Sequence, residues 1–288
     1  MESTWIFYSL AGLLALGTGD FIKKLILSKW ADKEVFLLAC FMLYIPFFWM
    51  NMFLQGTGNF YPDLLQSGLI IGILNFFIPL GMLTALKYLN VSFALVSIRI
   101  ISSFMILFIW VNILWDNLSL YNYFWFILWA IAIFLLSGFK FKQENKLHKK
   151  GLIALVAATI CIVLSNSYFK YIVPNVNIHD FMVVQFSVTG FCLSLYMLIR
   201  KKFKNFTKQE FKKVLPYAII TLWVFSLHFL YFLPNIYLLG PLSLGYKMLS
   251  YSLAVPILLS VVFLWEEVNK TRIFAFGLTI ISIFLFLV

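Results

Sequence analysis

The sequence predicts an all-α integral membrane protein whose ten transmembrane helices form two inverted five-helix repeats around a central cavity. Three observations carry this reading. Of 288 residues, 63% are hydrophobic and only 11% are charged, whereas a soluble domain has about 25% charged residues. The polar residues gather in short clusters between apolar runs of about twenty residues, the length that crosses a hydrocarbon core. Those runs are continuously apolar rather than alternating, which excludes the strands of about ten residues that build a membrane barrel.

The elements follow in order. The first half holds spans at 5–27, 34–54, 66–88, 91–115 and 121–139. The stretch 140–150, KFKQENKLHKK, is too charged for hydrocarbon and separates the halves. The second half holds spans at 151–172, 180–200, 214–235, 241–265 and 271–288. Residues 1–140 are thus the first repeat, 141–150 a basic inter-repeat loop and 151–288 the second repeat, in one integrated membrane domain. No Lys or Arg precedes the first apolar run, and no small-residue cleavage site follows a short one, so the first span is expected to be kept as a signal anchor. Gly12, Gly17 and Gly19 allow close helix approach in that span. Pro79, Pro216, Pro234, Pro241 and Pro256 mark places where later helices kink or begin.

The two halves correspond in detail. In the first span, GDFIKK puts Asp20 four residues before Lys24; in the sixth, SNSYFK puts Asn166 four residues before Lys170 at the same offset. ILWDNLS aligns Trp115 and Asp116 with Trp265 and Glu266 of FLWEEVN, at an offset four residues longer. Each half has an odd number of spans, so the second copy enters from the opposite side of the membrane, as in transporters built from inverted repeats.

With GTGDFIKK in the first span, the LKYLNVSFAL junction between spans three and four, and the acids of LWDNLS and LWEEVN, the whole chain resembles the drug/metabolite transporter superfamily, in its EamA-like ten-helix branch. Asp116 stands where that family usually has Glu. The resemblance implies a basket of ten helices, alternating access, and a metabolite, amino acid, nucleobase or sugar-phosphate as cargo. The implied function is secondary transport of a small polar metabolite, anionic or zwitterionic; transport of neutral or cationic compounds is the alternative.

Charged residues inside spans are costly in lipid and are functional candidates by default. Arg99 lies roughly 12 Å into the fourth span at the helical rise. Lys247 lies at nearly the equivalent depth of the ninth, as expected of two cations converging on a carboxylate or phosphate. The sugar-phosphate branch of the superfamily looks similar in using basic residues on these helices. The competing structural reading is snorkelling, or pairing with an acid or with backbone carbonyls. The same competition applies to Lys24 and Lys170, nearer the span ends. Asp20 pairs with Lys23 or Lys24 through the adjacent turn, or serves as a proton-coupling carboxylate. His228 is a second proton-relay candidate or a hydrogen-bonded core residue. Asn75, Tyr246, Trp223 and Tyr231 are candidates for a cavity wall.

Cys40, Cys161 and Cys192 all lie in apolar runs without a CxxC pair or a neighbouring His, and are expected to be core thiols rather than metal ligands. No P-loop, HExxH, GxSxG or dinucleotide glycine motif occurs, so neither an enzyme nor an ATP-driven pump is expected, and no cofactor. A lipid enzyme would need Asp116, Glu266 and Glu267 to converge, but the first falls on the opposite face from the others. The expected partners are the bilayer, a small-molecule substrate and a coupling proton or counter-substrate; the chain is read as a monomer or homodimer.

The loops after spans one, five, seven and nine carry sixteen cations, and the other face has none apart from Lys170. The positive-inside rule puts the basic face in the cytoplasm of a cell's inner or plasma membrane, with both termini outside; the resemblance implies cytoplasmic termini instead. The net charge of +11 needs no nucleic acid, since a basic face beside anionic headgroups accounts for it.

Overall fold

The computed structural model of the chain describes residues 4–28, 32–89, 91–113, 149–239, 252, 254–264 and 270–287, with short helical pieces between 123 and 135. Among the described residues every regular element is helical. They are α1 (Thr4–Ser28), α2 (Lys33–Leu54), α3 (Pro62–Tyr88), α4 (Val91–Ile113), α5 (Lys149–Ile172), α6 (Ile178–Ile199), α7 (Lys208–Leu227), a π-turn (His228–Phe232) continuing into α8 (Leu233–Leu239), α9 (Ala254–Leu264) and α10 (Lys270–Leu287).

Five stretches are long and apolar enough to cross a membrane: Glu34–Leu54, Pro62–Met82, Lys149–Asn175, Ile178–Ile199 and Lys208–Leu239. α1, α4 and α10 carry shorter apolar segments. Phe7, Phe53, Phe108, Phe191, Leu198 and Trp223 are largely exposed, an outward apolar surface that water would not tolerate and lipid does. The chain is a helical multi-pass membrane protein.

Local sequence explains where the helices start. Asp32 caps α2 by accepting from the Glu34 and Val35 amides, and Asn177 caps α6 by accepting from those of His179 and Asp180. α3 begins at Pro62, four residues before the expected span, because proline at the first helical position gives up an N–H that would be unbonded anyway. α7 begins at Lys208, six residues before its apolar run. Thr207 caps it by accepting from the Glu210 amide, so a lysine-bearing turn projects beyond the apolar segment.

Packing depends on small residues and on satisfied hydroxyls. A Cβ on Gly68 or Gly72 would lie 2.6 or 2.7 Å from Val184 or Val188, which brings α3 and α6 together at their backbones. Gly17 and Gly19 bring α1 as close to Val255 and Phe225, as expected for that span. Thr84, Thr159, Thr221 and Thr279 each donate to the carbonyl four residues back, which satisfies those four hydroxyls within their own helices. The largest packed cluster centres on Phe48 and Phe186, whose rings stack at 4.5 Å.

α2 and α6 run antiparallel, and bonds at each of their ends tie loop to helix. At one end Lys202 Nζ meets Glu34 Oε2 at 3.1 Å and Asn205 Nδ2 meets Asp32 Oδ2 at 2.7 Å. The hydrogen bond that Lys202 donates to Glu34, and then the charge of that carboxylate, hold the Lys202 pKa above the usual lysine value. At the other end Asp180 Oδ2 accepts from the Asn59 amide at 3.1 Å, Tyr61 donates to the Asn175 carbonyl at 3.0 Å, and His179 Nδ1 lies 2.6 Å from Asn51 Oδ1.

Candidate functional site

Helices of both halves enclose a cavity of about 310 Å³. Its lining is mostly apolar and aromatic, with Phe36, Phe41, Tyr44, Phe169, Phe186 and Phe225 among the walls. The polar groups stand in two sets.

The first set is an ion pair. Arg99 Nη2 on α4 donates to Asp20 Oδ2 on α1 at 2.7 Å, with side chains only 17% and 6% exposed. Both residues line the cavity. In low-dielectric surroundings each charge offsets part of the desolvation cost of the other through a charge-assisted bond.

The second set is neutral. Ser165 on α5 donates to Asn75 Oδ1 on α3 at 2.9 Å, and Thr189 on α6 lies 2.9 Å from the carbonyls of both Gly72 and Gln185. Asn166 on α5 accepts from the Tyr237 hydroxyl at 2.6 Å and donates to the Ile162 carbonyl at 2.8 Å. Gln185, 3% exposed, completes this wall. Pro79 adds one backbone acceptor: it has no N–H to offer the carbonyl four residues back, which belongs to Asn75.

The π-turn forms the remaining side. Five residues instead of four fill this turn, with the Leu233 amide bonded to the His228 carbonyl. His228 is buried, lines the cavity and stands edge-on to Phe229 at 5.3 Å. Such insertions into a helix occur mostly where a side chain must be re-aimed.

Of the residues singled out in the sequence, the cavity therefore brings together Asp20, Asn75, Arg99 and His228. Asp20 pairs with Arg99, 79 residues away: a carboxylate on the cavity side of α1 meets the guanidinium that α4 brings to the same wall, while the expected partners Lys23 and Lys24 have side chains outside the described residues. Lys170 is not in the lining, and its ammonium donates to the Tyr237 carbonyl, the backbone-pairing alternative. Trp223 and Tyr231 are 62% and 48% exposed and face away from the cavity. Lys247 and Tyr246 lie outside the described residues, as does the Lys24 side chain. Sequence reasoning passed over Tyr44, Ser165, Asn166 as a wall residue, Gln185 and Thr189. The readable signal was a polar side chain in an otherwise apolar run, as with Gln185 in VVQFSV.

The sequence matches no family model and no curated protein. In fold, 28 chains of solved structures match. One, described only as "Crystal structure of protein", superposes with a TM-score of 0.73 over 96% of this chain and 97% of its own, at 13% identity. The likeness extends over essentially the whole length of both chains and is one of fold.

Proposed function

We propose that the chain is a secondary carrier that moves a small zwitterionic metabolite across its membrane by alternating access. The observation that carries this reading is the Asp20–Arg99 pair on the wall of a cavity otherwise lined mainly by apolar and aromatic side chains, with neutral amides, hydroxyls and His228 among them. An unmatched arginine would favour an anion. With Asp20 beside it, the described wall residues offer one cation paired with one anion. A solute bearing both a carboxylate and an ammonium exchanges partners with the pair, carboxylate to guanidinium and ammonium to Asp20, so that no buried charge is left alone at any stage. The cavity volume is at the small end of ligand sites, which run from about 300 to 1,000 Å³.

The helix packing supports the inverted repeat. Exchange α1 with α5, α2 with α6, α3 with α7 and α4 with α9. The packing of α1 on α7 then becomes that of α5 on α3, α1 on α9 becomes α5 on α4, α2 on α7 becomes α6 on α3, and α2 on α6 becomes itself. A pseudo-twofold through a midplane cavity is the arrangement that lets one protein present the same site to either side. With no nucleotide-binding motif, the driving force is a gradient of the solute, of a counter-substrate or of a coupling ion, for which Asp20 is the first candidate.

A thermal-shift screen of the detergent-purified protein against amino acids, dicarboxylates, sugar-phosphates and amines tests the reading, because a bound ligand raises the unfolding temperature by mass action. Stabilisation by a zwitterion, lost in the Asp20→Asn/Arg99→Gln double variant, is the expected result. A shift with dicarboxylates or sugar-phosphates alone makes the site anionic and transfers the argument to Arg99 with Lys247. A shift with amines alone makes the protein a carrier of cationic compounds.

A further inference from the structure

The two loops that follow α2 and α6 are built to one plan. α2 ends in a C-cap at Gln55 and α6 in one at Arg200. The next residue in each is left-handed, Gly56 at φ 64° and Lys201 at φ 54°. An asparagine follows, Asn59 or Asn205, two residues before the N-cap of the next helix, Tyr61 or Thr207. Each asparagine is bound to an acid at the capped start of the opposite helix: Asn205 Nδ2 to Asp32 Oδ2 at 2.7 Å, and the Asn59 amide to Asp180 Oδ2 at 3.1 Å. The first turns of α2 and α6 carry Glu34 and Asp180 as their acids, at the offset that also relates Asp20 to Asn166. The two clasps thus share one loop plan and differ in detail: Asn205 is held by the N-cap Asp32 while Lys202 takes Glu34, the counterpart of Asp180.

Their positions give the device a purpose. They sit at opposite ends of two antiparallel helices of 22 residues each, about 30 Å apart at the helical rise. The middle of those same helices supplies the cavity wall, with Cys40 and Tyr44 from α2 and Gln185 and Thr189 from α6. Each clasp ties a loop of one half to a helix start of the other. Breaking one lets the halves part at that end while the other end stays tied. We propose that these clasps are the two gates of the carrier, Asp32 and Glu34 with Asn205 and Lys202 at the basic end, Asp180 with Asn59 at the other; the inference rests on the carrier reading above.

The gates are unequal. At the basic end the bonds join partly exposed side chains, with Lys202 40% and Glu34 22% exposed, and water and salt compete for both groups. At the other end the donor is backbone and the acceptor, Asp180, is 1% exposed. The basic end therefore opens more readily, and the resting carrier samples an opening toward that side.

The protein carries its own reporter, since Cys40 lines the cavity and is 3% exposed. In a Cys161→Ala/Cys192→Ala background, the rate at which a membrane-impermeant maleimide reaches Cys40 is measured from each side, in intact cells and in inverted vesicles. Lys202→Ala/Asn205→Ala is expected to speed labelling from the basic side by about tenfold, the room left by a minor open state of about 0.1–10%, with no change from the other side. Asp180→Ala is expected to do the reverse. Should that variant fail to fold, Asn59→Pro removes the donor N–H and leaves the buried Asp180 in place. Glu34→Lys/Lys202→Glu, which rebuilds the ion pair in reverse, is expected to keep the parent rate, and Glu34→Lys alone to exceed it. Acceleration from both sides alike, or from neither, overturns the proposal. The readout needs no cargo: one-sided labelling counts for the gates even where no solute moves, and two-sided labelling counts against them even in a protein that transports.

Discussion

α1 and α5, which correspond in the proposed repeat, each set a short polar side chain on the cavity wall four residues before a lysine. In α1 that side chain is Asp20, held by Arg99 at 2.7 Å; in α5 it is Asn166, held by the Tyr237 hydroxyl at 2.6 Å. The positions and bond lengths correspond, and the charge does not. The two walls hold similar geometry, while the difference between Asp and Asn decides which of them carries charge. On the proposed carrier reading, the α1 wall recognises a charged group and the α5 wall holds shape.

The comparison can be broken first at its charged member. Asp20→Asn leaves Arg99 buried without its counter-charge and is expected to cost about 3–5 kcal/mol, read as a lower unfolding temperature in detergent. Asp20→Asn/Arg99→Gln is expected to recover most of that stability without recovering ligand binding. At the neutral member, Asn166→Leu leaves the Tyr237 hydroxyl without its acceptor, at about 1–3 kcal/mol, and ligand binding survives. If it costs as much as Asp20→Asn, the two walls do not differ in the way described. The smallest effect is expected for Tyr237→Phe, about 0.5–1.5 kcal/mol for one exchanged hydrogen bond, with the ligand profile unchanged.

What could be read from the sequence was whatever the solvent dictates locally. Apolar runs bounded by Asp32, by 140–150 and by the lysines near 201 placed the long helices, because lipid rejects charge wherever it occurs. The starts at Pro62 and Lys208 extend past those runs. They depend on capping, which a hydropathy argument ignores, although the T-x-x-E pattern from Thr207 to Glu210 was there to be used. In the site, Asp20 and Arg99 stood out because each is expensive in an apolar run. Their pairing did not, since helical spacing points from Asp20 to the nearby Lys24, and nothing local shows that α4 brings Arg99 to it from 79 residues away. GLIIG at Gly68–Gly72 marks the α3–α6 seam and was as legible as the glycines of the first span. The π-turn at His228 has no sequence signature of its own, and the lining role of Gln185 follows only from the face α6 turns inward.

That π-turn has a mechanical consequence. The helical stretch Lys208–Leu239 has 32 residues, about 48 Å at 1.5 Å per residue, well beyond the roughly 30 Å of hydrocarbon. A straight rod of that length would transmit any tilt at its lysine-bearing end directly to the far side of the protein. Interrupting it beside the cavity divides the rod into two arms with a fulcrum between them. The longer arm can swing at one membrane surface while the shorter, clamped through Tyr237 to Asn166 and Lys170, stays fixed at the other.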